Sequence, residues 1–160
     1  MSNSEEPLWQ VHQRFMAQAV MLAEQAFEEG EVPVGAIVVH ENSIVGKGYN
    51  QVERLNDPTA HAEMLAISAA CDTLGEKYLG DCTLYVTLEP CPMCSGALVW
   101  SKIGRIVFGA TDPKAGGSGS VFNITQNKHL NHEAEVIQGV LEQDCEYLLK
   151  SFFASRRMKF

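Results

Sequence analysis

Any fold adopted by this chain has to bring together two short runs that lie far apart in it, Thr59-Ala60-His61-Ala62-Glu63 and Glu89-Pro90-Cys91-Pro92-Met93-Cys94. One imidazole and two thiolates are ligands that suit a tetrahedral zinc and leave its fourth position open to water, which is an arrangement for chemistry rather than scaffolding. Residues two apart on a helix point about 200° from each other. His61 and Glu63 can therefore serve one site only if it lies off a helix N-terminus; Cys91 and Cys94, three apart, stand likewise at the start of the next helix. Two helix N-termini aimed at one metal favour deprotonated thiolates there. Glu63 cannot be a tight fourth ligand without closing the site, so it is left as the group that moves protons.

The rest of the chain supplies suitable surroundings. Its 160 residues are 46% apolar and 20% charged, the balance of a soluble globular protein. We expect one domain over residues 1–160, with residues 1–7 as a flexible N-terminal segment. No signal-peptide pattern opens the chain and no apolar run reaches the ~20 residues of a membrane span, so a cytoplasmic location is expected. Five cysteines, an odd number with two in C-x-x-C, make a poor disulfide framework. Cys71, Cys82 and Cys145 read as buried small hydrophobes.

A net charge of −8 argues against a protein that grips nucleic acid with its whole surface. The C-terminal stretch differs: Lys150, Arg156, Arg157 and Lys159 stand among Phe152, Phe153 and Phe160 with no acid between them. It reads as a helical tail whose phenylalanines pack on the core, with cations free to meet phosphates.

Taken in order, Leu8, Val11, Phe15, Ala19, Leu22, Ala26 and Phe27 give residues 8–29 the period of an amphipathic helix ended by Gly30. Val34 to His40 and Ile44 to Tyr49 form a hairpin about Glu41-Asn42-Ser43. Gly46 and Gly48 share one face of its second strand, so an element packs closely there, with the first helix as the expected neighbour. Gln51 to Pro58 reads as a polar connection. Ala60 to Cys71 follows as a helix with His61 in or beside its first turn, then a loop to Asp81, a strand at Cys82 to Leu88, and a short helix through Trp100 with Pro92 in its first turn. A strand at Arg105 to Gly109, a glycine-rich loop at Ala110 to Ser120, a short strand at Ala134 to Gln138 and helix over Val140 to Arg157 complete the chain. This alternation predicts a three-layer α/β/α sandwich about a central five-stranded mixed sheet: an antiparallel hairpin, then parallel strands joined by helical crossovers. Both motif runs fall where strands or loops give way to helices, the places at which such sheets bind ligands.

Each motif alone is weak. C-x-x-C between strand and helix also places the thiols of a dithiol redox protein, and H-x-E by itself says little. H-x-E followed by P-C-x-x-C is, however, the known signature of zinc nucleobase deaminases, and this sequence matches it literally. In that chemistry Glu63 takes a proton from the attacking water, delivers it to a ring nitrogen of the base and then protonates the departing amine. That asks for a carboxyl pKa nearer neutrality than a free glutamate has. Glu63 has no evident task in a redox protein or in a non-catalytic RNA-binding module.

Over Leu8 to Lys159 the sequence resembles the bacterial tRNA-specific adenosine deaminases of the TadA type, within the cytidine deaminase-like superfamily. The resemblance rests on Glu31 to Ala36, Asp57 to Glu63, Thr83 to Cys91, Val107 to Ala110 with Asp112 and Lys114, Asn131-His132, and Phe152-Phe153 with Arg156-Arg157. It implies hydrolysis of adenosine to inosine at the wobble position of a tRNA anticodon, by a homodimer with one zinc per subunit. Carried over by position, His61, Cys91 and Cys94 are the zinc ligands and Glu63 the catalytic acid and base. Asn50 hydrogen-bonds the target base, Val32 walls its pocket, and Asp112 and Asn131 contact neighbouring nucleotides. The nearest alternative is a deaminase of the same fold acting on guanine, deoxycytidylate or another free base or nucleotide, which shares the metal site entirely.

Overall fold

In the computed structural model, which describes residues 6–157, the β-branched run Ile37-Val38-Val39 makes a strand and the hairpin forms as expected. β1 (Gly35–His40) and β2 (Ser43–Tyr49) are antiparallel. Glu41 and Asn42 turn the chain with positive φ of 48° and 63°, the twist that a two-residue hairpin loop requires. Before the hairpin comes α1 (Leu8–Glu28), closed by Gly30 at φ 79°. After it come α2 (Val52–Leu55), α3 (Ala62–Leu74), β3 (Cys82–Leu88), α4 (Pro92–Trp100), β4 (Arg105–Ala110), β5 (Glu135–Ile137) and α5 (Glu142–Arg157). The four-residue α2 was missed in the sequence, being too short to show a period. It lies within the stretch read as an irregular connection.

The sheet order is β2-β1-β3-β4-β5. β3 runs antiparallel to β1, and β4 and β5 follow it in parallel, which is the mixed sheet predicted. Alternate side chains of β1 feed two cores. Ala36 and Val38 join Ala62, Ala66, Leu98 and Phe108 on the face covered by α3 and α4. Ile37 and Val39 join Phe15, Ala19, Val107 and Cys145 on the face covered by α1 and α5. The central strands are buried on both faces, hence their nearly unbroken apolar runs.

One expectation is corrected. Gly46 and Gly48 lie under α3, not under the first helix. A Cβ on Gly48 would overlap the carbonyl oxygen of Ala62 and lie 2.8 Å from the Ala66 nitrogen; one on Gly46 would lie 2.7 Å from the Ala70 nitrogen. Register explains this, since Gly48 pairs with Ala36 and Gly46 with Val38, so both share the face of the α3 core. The first helix instead packs over Gly35, where a Cβ would lie 2.6 Å from the Ala23 nitrogen. Both helices meet the sheet through alanines, and α3 carries His61 and Glu63 at its start. Gly48→Ala is expected to destabilise the fold by about 1–3 kcal/mol, as overpacked sites do. By displacing α3 it should also lower activity well below the loss that unfolding explains. Urea unfolding beside specific activity checks this, and a variant as stable and active as the parent would refute the close packing.

Other expectations need adjustment. Cys82 and Cys145 are buried, but Cys71 is only partly so. Phe152 is buried edge-on against Phe27 at 5.8 Å between ring centroids, whereas Phe153 is 45% exposed and faces a cavity instead of the core. Lys159, Phe160 and the side chain of Arg157 lie outside the described residues, as do residues 1–5 of the expected flexible segment. At its end, Glu6 pairs with Arg14 at 3.2 Å and the Pro7 carbonyl accepts the Val11 N–H at 3.1 Å. His12, unassigned from sequence, is buried, with Nδ1 2.7 Å from the Tyr85 hydroxyl. Burial pushes its pKa down, which keeps the ring neutral in the core. Among the described residues no helix is long and apolar enough to cross a membrane.

Candidate metal centre and active site

Two helix starts meet beside the C-terminal end of β3. The Asp57-Pro58-Thr59 turn is held by Asp57 Oδ1, which accepts the Thr59 N–H at 2.8 Å and its hydroxyl at 2.7 Å. This turn delivers His61 as the N-cap of α3, with extended backbone at φ −77°, ψ 152°. At the other start, β3 gives way to Glu89-Pro90 and Cys91 is the N-cap of α4, at φ −70°, ψ 172°, with Pro92 in the first turn. Neither N-cap residue uses its side chain to cap its helix. They turn to each other instead.

The Nδ1 atom of His61 lies 3.6 Å from Cys91 Sγ and 3.5 Å from Cys94 Sγ, and all three ligand atoms are within 4.8 Å of one another. Zinc bonds of about 2.05 Å to nitrogen and 2.3 Å to sulfur, at a tetrahedral angle, separate nitrogen and sulfur by about 3.6 Å. The donor set fits that ion in both chemistry and spacing. Of the two sulfurs Cys91 is the readier thiolate: a hydrogen bond from Cys94, with a second from His61, holds it down to about 4, against the cost of burial. The same bond to Cys91, together with burial, pushes Cys94 up. Hydrogen bonding to Cys91 raises the His61 pKa.

Glu63, in the first turn of α3, is 4% exposed. Burial is the main cause of its pKa being pushed up to about 7, with the Cys91 thiolate adding and His61 opposing. A carboxyl near neutrality is poised both to take and to give a proton.

A cavity of about 550 Å³ opens over these groups, lined by His61, Glu63 and Cys91 together with Val32, Asn50 and Asp112. Its size is ordinary for a small-ligand site. Three of the four residues assigned to substrate from the resemblance are thus gathered with the metal ligands. Asn131 is not: it lines a separate depression with Tyr78, Trp100 and Leu130. Asp112 also shapes its own loop, its Oδ1 accepting the N–H groups of Lys114 and Ala115 at 3.1 Å each.

Sequence reading missed several residues of this wall. Glu31 is 1% exposed and its carboxylate accepts the N–H groups of Glu53 and Arg54 at 2.9 and 2.8 Å, holding α2 at the cavity edge. Glu89 is likewise buried. Phe153 and Arg156, singled out in the sequence as part of the basic C-terminal stretch, also reach the wall from α5. A lone glutamate within a loop carries no period, so only its place beside a motif residue, as with Glu89, could have pointed to it.

An imidazole and two thiolates spaced for zinc, at two helix ends under a cavity that also holds a near-neutral carboxyl, are the parts that a zinc-dependent hydrolytic deaminase needs. Residues 9–110 match the cytidine and deoxycytidylate deaminase zinc-binding region, and the chain belongs to that family. Among relatives, it is 54% identical to the tRNA-specific adenosine deaminase of Aquifex aeolicus over 89% of this chain and 94% of that protein. It is 48% identical to the tRNA-specific adenosine deaminase of Bacillus subtilis, over 91% and 90% respectively. A solved structure from studies of A-to-I editing by tRNA:A34 deaminases at the wobble position of transfer RNA superposes with a TM-score of 0.82, at 38% identity over 85% of this chain and 99% of that one. Guanine deaminase from Bacillus subtilis also shares the fold, with a TM-score of 0.62 at 41% identity, but over only 68% of this chain and 70% of that one.

Proposed function

We propose that this protein hydrolyses adenosine to inosine at the wobble position of a tRNA anticodon, releasing ammonia. The observation that carries the substrate is the likeness to tRNA-specific adenosine deaminases, 54% identical over 94% of the relative's length. The guanine deaminase of Bacillus subtilis matches a smaller share of the chain, 68%. Lys114, Lys150 and Arg156 line a depression that shares Val32, Asp112 and Phe153 with the main cavity. They supply local positive charge for a phosphate backbone on a chain that is acidic overall.

In this reading His61, Cys91 and Cys94 hold the zinc. When bound there, zinc lowers the pKa of a coordinated water from 15.7 to about 7 and so supplies a nucleophile at neutral pH. Glu63 does the proton work: it takes a proton from the attacking water, passes it to a ring nitrogen of the base, making the amino-bearing carbon electrophilic, and then protonates the departing amine. Its burial keeps it able to act as base and then as acid. Asn50 hydrogen-bonds the base, Val32 walls the pocket, and Asp112 meets a neighbouring nucleotide. An anticodon loop suits such a cavity because its bases are extruded at small energetic cost.

The active form is a homodimer in the cytoplasm, acting as a single domain per chain. Supporting the dimer is exposed apolar surface: Trp100 is 75% exposed and Leu130 42%, and Asn131 lies in the same depression as both. That face is where a second copy would cover them and where Asn131 would act.

The test is inosine formation in an anticodon stem-loop incubated with zinc-loaded protein, beside guanine, deoxycytidylate and free adenosine, with the mass of the same sample measured by light scattering. Inosine in the stem-loop and twice the chain mass are expected. Turnover of guanine or deoxycytidylate without inosine formation would overturn the substrate, and a monomeric mass the dimer.

A further inference from the structure

Glu89 is 2% exposed and forms no ion pair among the described residues. A buried carboxylate needs donors, and here they come from one segment. Its oxygens accept the backbone N–H groups of Asp112 at 3.0 Å, Ser118 at 3.1 Å and Ser120 at 3.0 Å, and also the Ser120 hydroxyl. Such charge-assisted bonds are stronger than bonds between neutral groups. The fit is close, since a Cβ at Gly116 would fall on the Glu89 carboxylate.

The same segment is laid on the metal-binding junction by two further sets of contacts. The Gly117 N–H donates to the Pro90 carbonyl at 2.7 Å, and a Cβ at Gly117 would lie 2.6 Å from the Ser95 hydroxyl and 3.0 Å from the Cys91 carbonyl. The Ser95 hydroxyl lies 3.2 Å from that of Ser118, which also receives the Thr125 hydroxyl at 3.1 Å. Apolar burial contributes little to order here, as Val121 and Phe122 just beyond are 45% and 55% exposed. The conformation of residues 112–120 therefore depends on polar contacts, and Glu89 accepts four of them.

We propose that Glu89 is a positioning residue for substrate binding. Its carboxylate orders residues 112–120 and so holds Asp112 and Ala115 in the cavity wall, setting how firmly nucleotides beside the target base are gripped without touching the reacting atoms. This rests on the proposed RNA substrate. Because Glu89 directly precedes Pro90-Cys91, the grip on RNA and the seat of a metal ligand share one anchor.

Glu89→Gln keeps the shape but places an amide NH₂ against N–H donors, and Ser120→Ala removes a single hydroxyl donor as a milder variant. We expect Glu89→Gln to keep one zinc per chain, to speed amide exchange at Asp112, Ser118 and Ser120 by about tenfold or more, and to raise the KM for the stem-loop by about tenfold, with kcat falling less than about threefold. Ser120→Ala should shift exchange and KM the same way by less. A purely structural role predicts instead that kcat and zinc content fall together at constant KM, and that result overturns the proposal. If Glu89→Gln does not fold, Ser120→Ala decides, with faster exchange at unchanged KM counting against it. Should the parent protein form no inosine, the functional reading fails on its own. The exchange arm still tests the clamp, which unchanged protection would refute.

Discussion

Replacing Glu63 by glutamine is expected to leave zinc at the parent level and lower deamination by about 10²–10⁴-fold, the contribution typical of a positioned general acid and base. Glutamine has nearly the same volume, so the cavity and the three ligand atoms, all within 4.8 Å of one another, stay as they are. What it cannot do is accept a proton from water and return it to the leaving amine. Burial lifts the Glu63 carboxyl to about 7, so the lost group is one that changes protonation state readily at neutral pH. Ammonia release beside zinc quantification on the same sample makes the check. Activity within tenfold of the parent would mean that another group moves the protons.

The second large effect concerns the metal. His61→Ala or Cys94→Ala removes one of three protein ligands, and both variants are expected to lose zinc and all measurable turnover. Zinc binds the folded chain because the fold assembles its ligands, so its loss also lowers stability. With free metal about 1,000-fold above the dissociation constant, the bound ion contributes about 4 kcal/mol. The helices that carry the ligands are held by the core on their face of the sheet through Ala62, Ala66 and Leu98, so the variants should still fold, melting where the chelated parent protein melts. A Cys94→Ala variant that retains zinc at the parent's affinity would remove Cys94 from the ligand set.

Much of this architecture is legible in the sequence because its signals are periodic. The apolar spacing of α1, the β-branched run of β1 and the sharp start of β3 at Cys82 each follow from which faces must be buried. The candidate metal ligands are legible for a different reason: H-x-E and P-C-x-x-C, each weak alone, are specific when they occur together beside residues that start helices. Gly46 and Gly48 announce a close approach, but glycine does not say which helix makes it. With alanine stripes on both α1 and α3, only the register of β2 on β1 assigns them to α3.

Glu31 and Glu89 were hidden for a further reason. Apart from the Ser120 hydroxyl, their partners are backbone N–H groups 22 to 31 residues away, which every non-proline residue possesses, so no side-chain pattern betrays them. Residues that react show in their own chemistry, whereas residues that hold the walls show only once the chain has folded.

The central claim is a zinc bound by one imidazole and two thiolates, with its remaining position open. X-ray absorption at the zinc edge on the purified protein tests it most directly. Two sulfur neighbours at about 2.3 Å and nitrogen or oxygen neighbours at about 2.0 to 2.1 Å are predicted, with one sulfur lost in Cys94→Ala reloaded with zinc at high concentration. A shell of four sulfurs, or one with no sulfur, would contradict the site described for His61, Cys91 and Cys94.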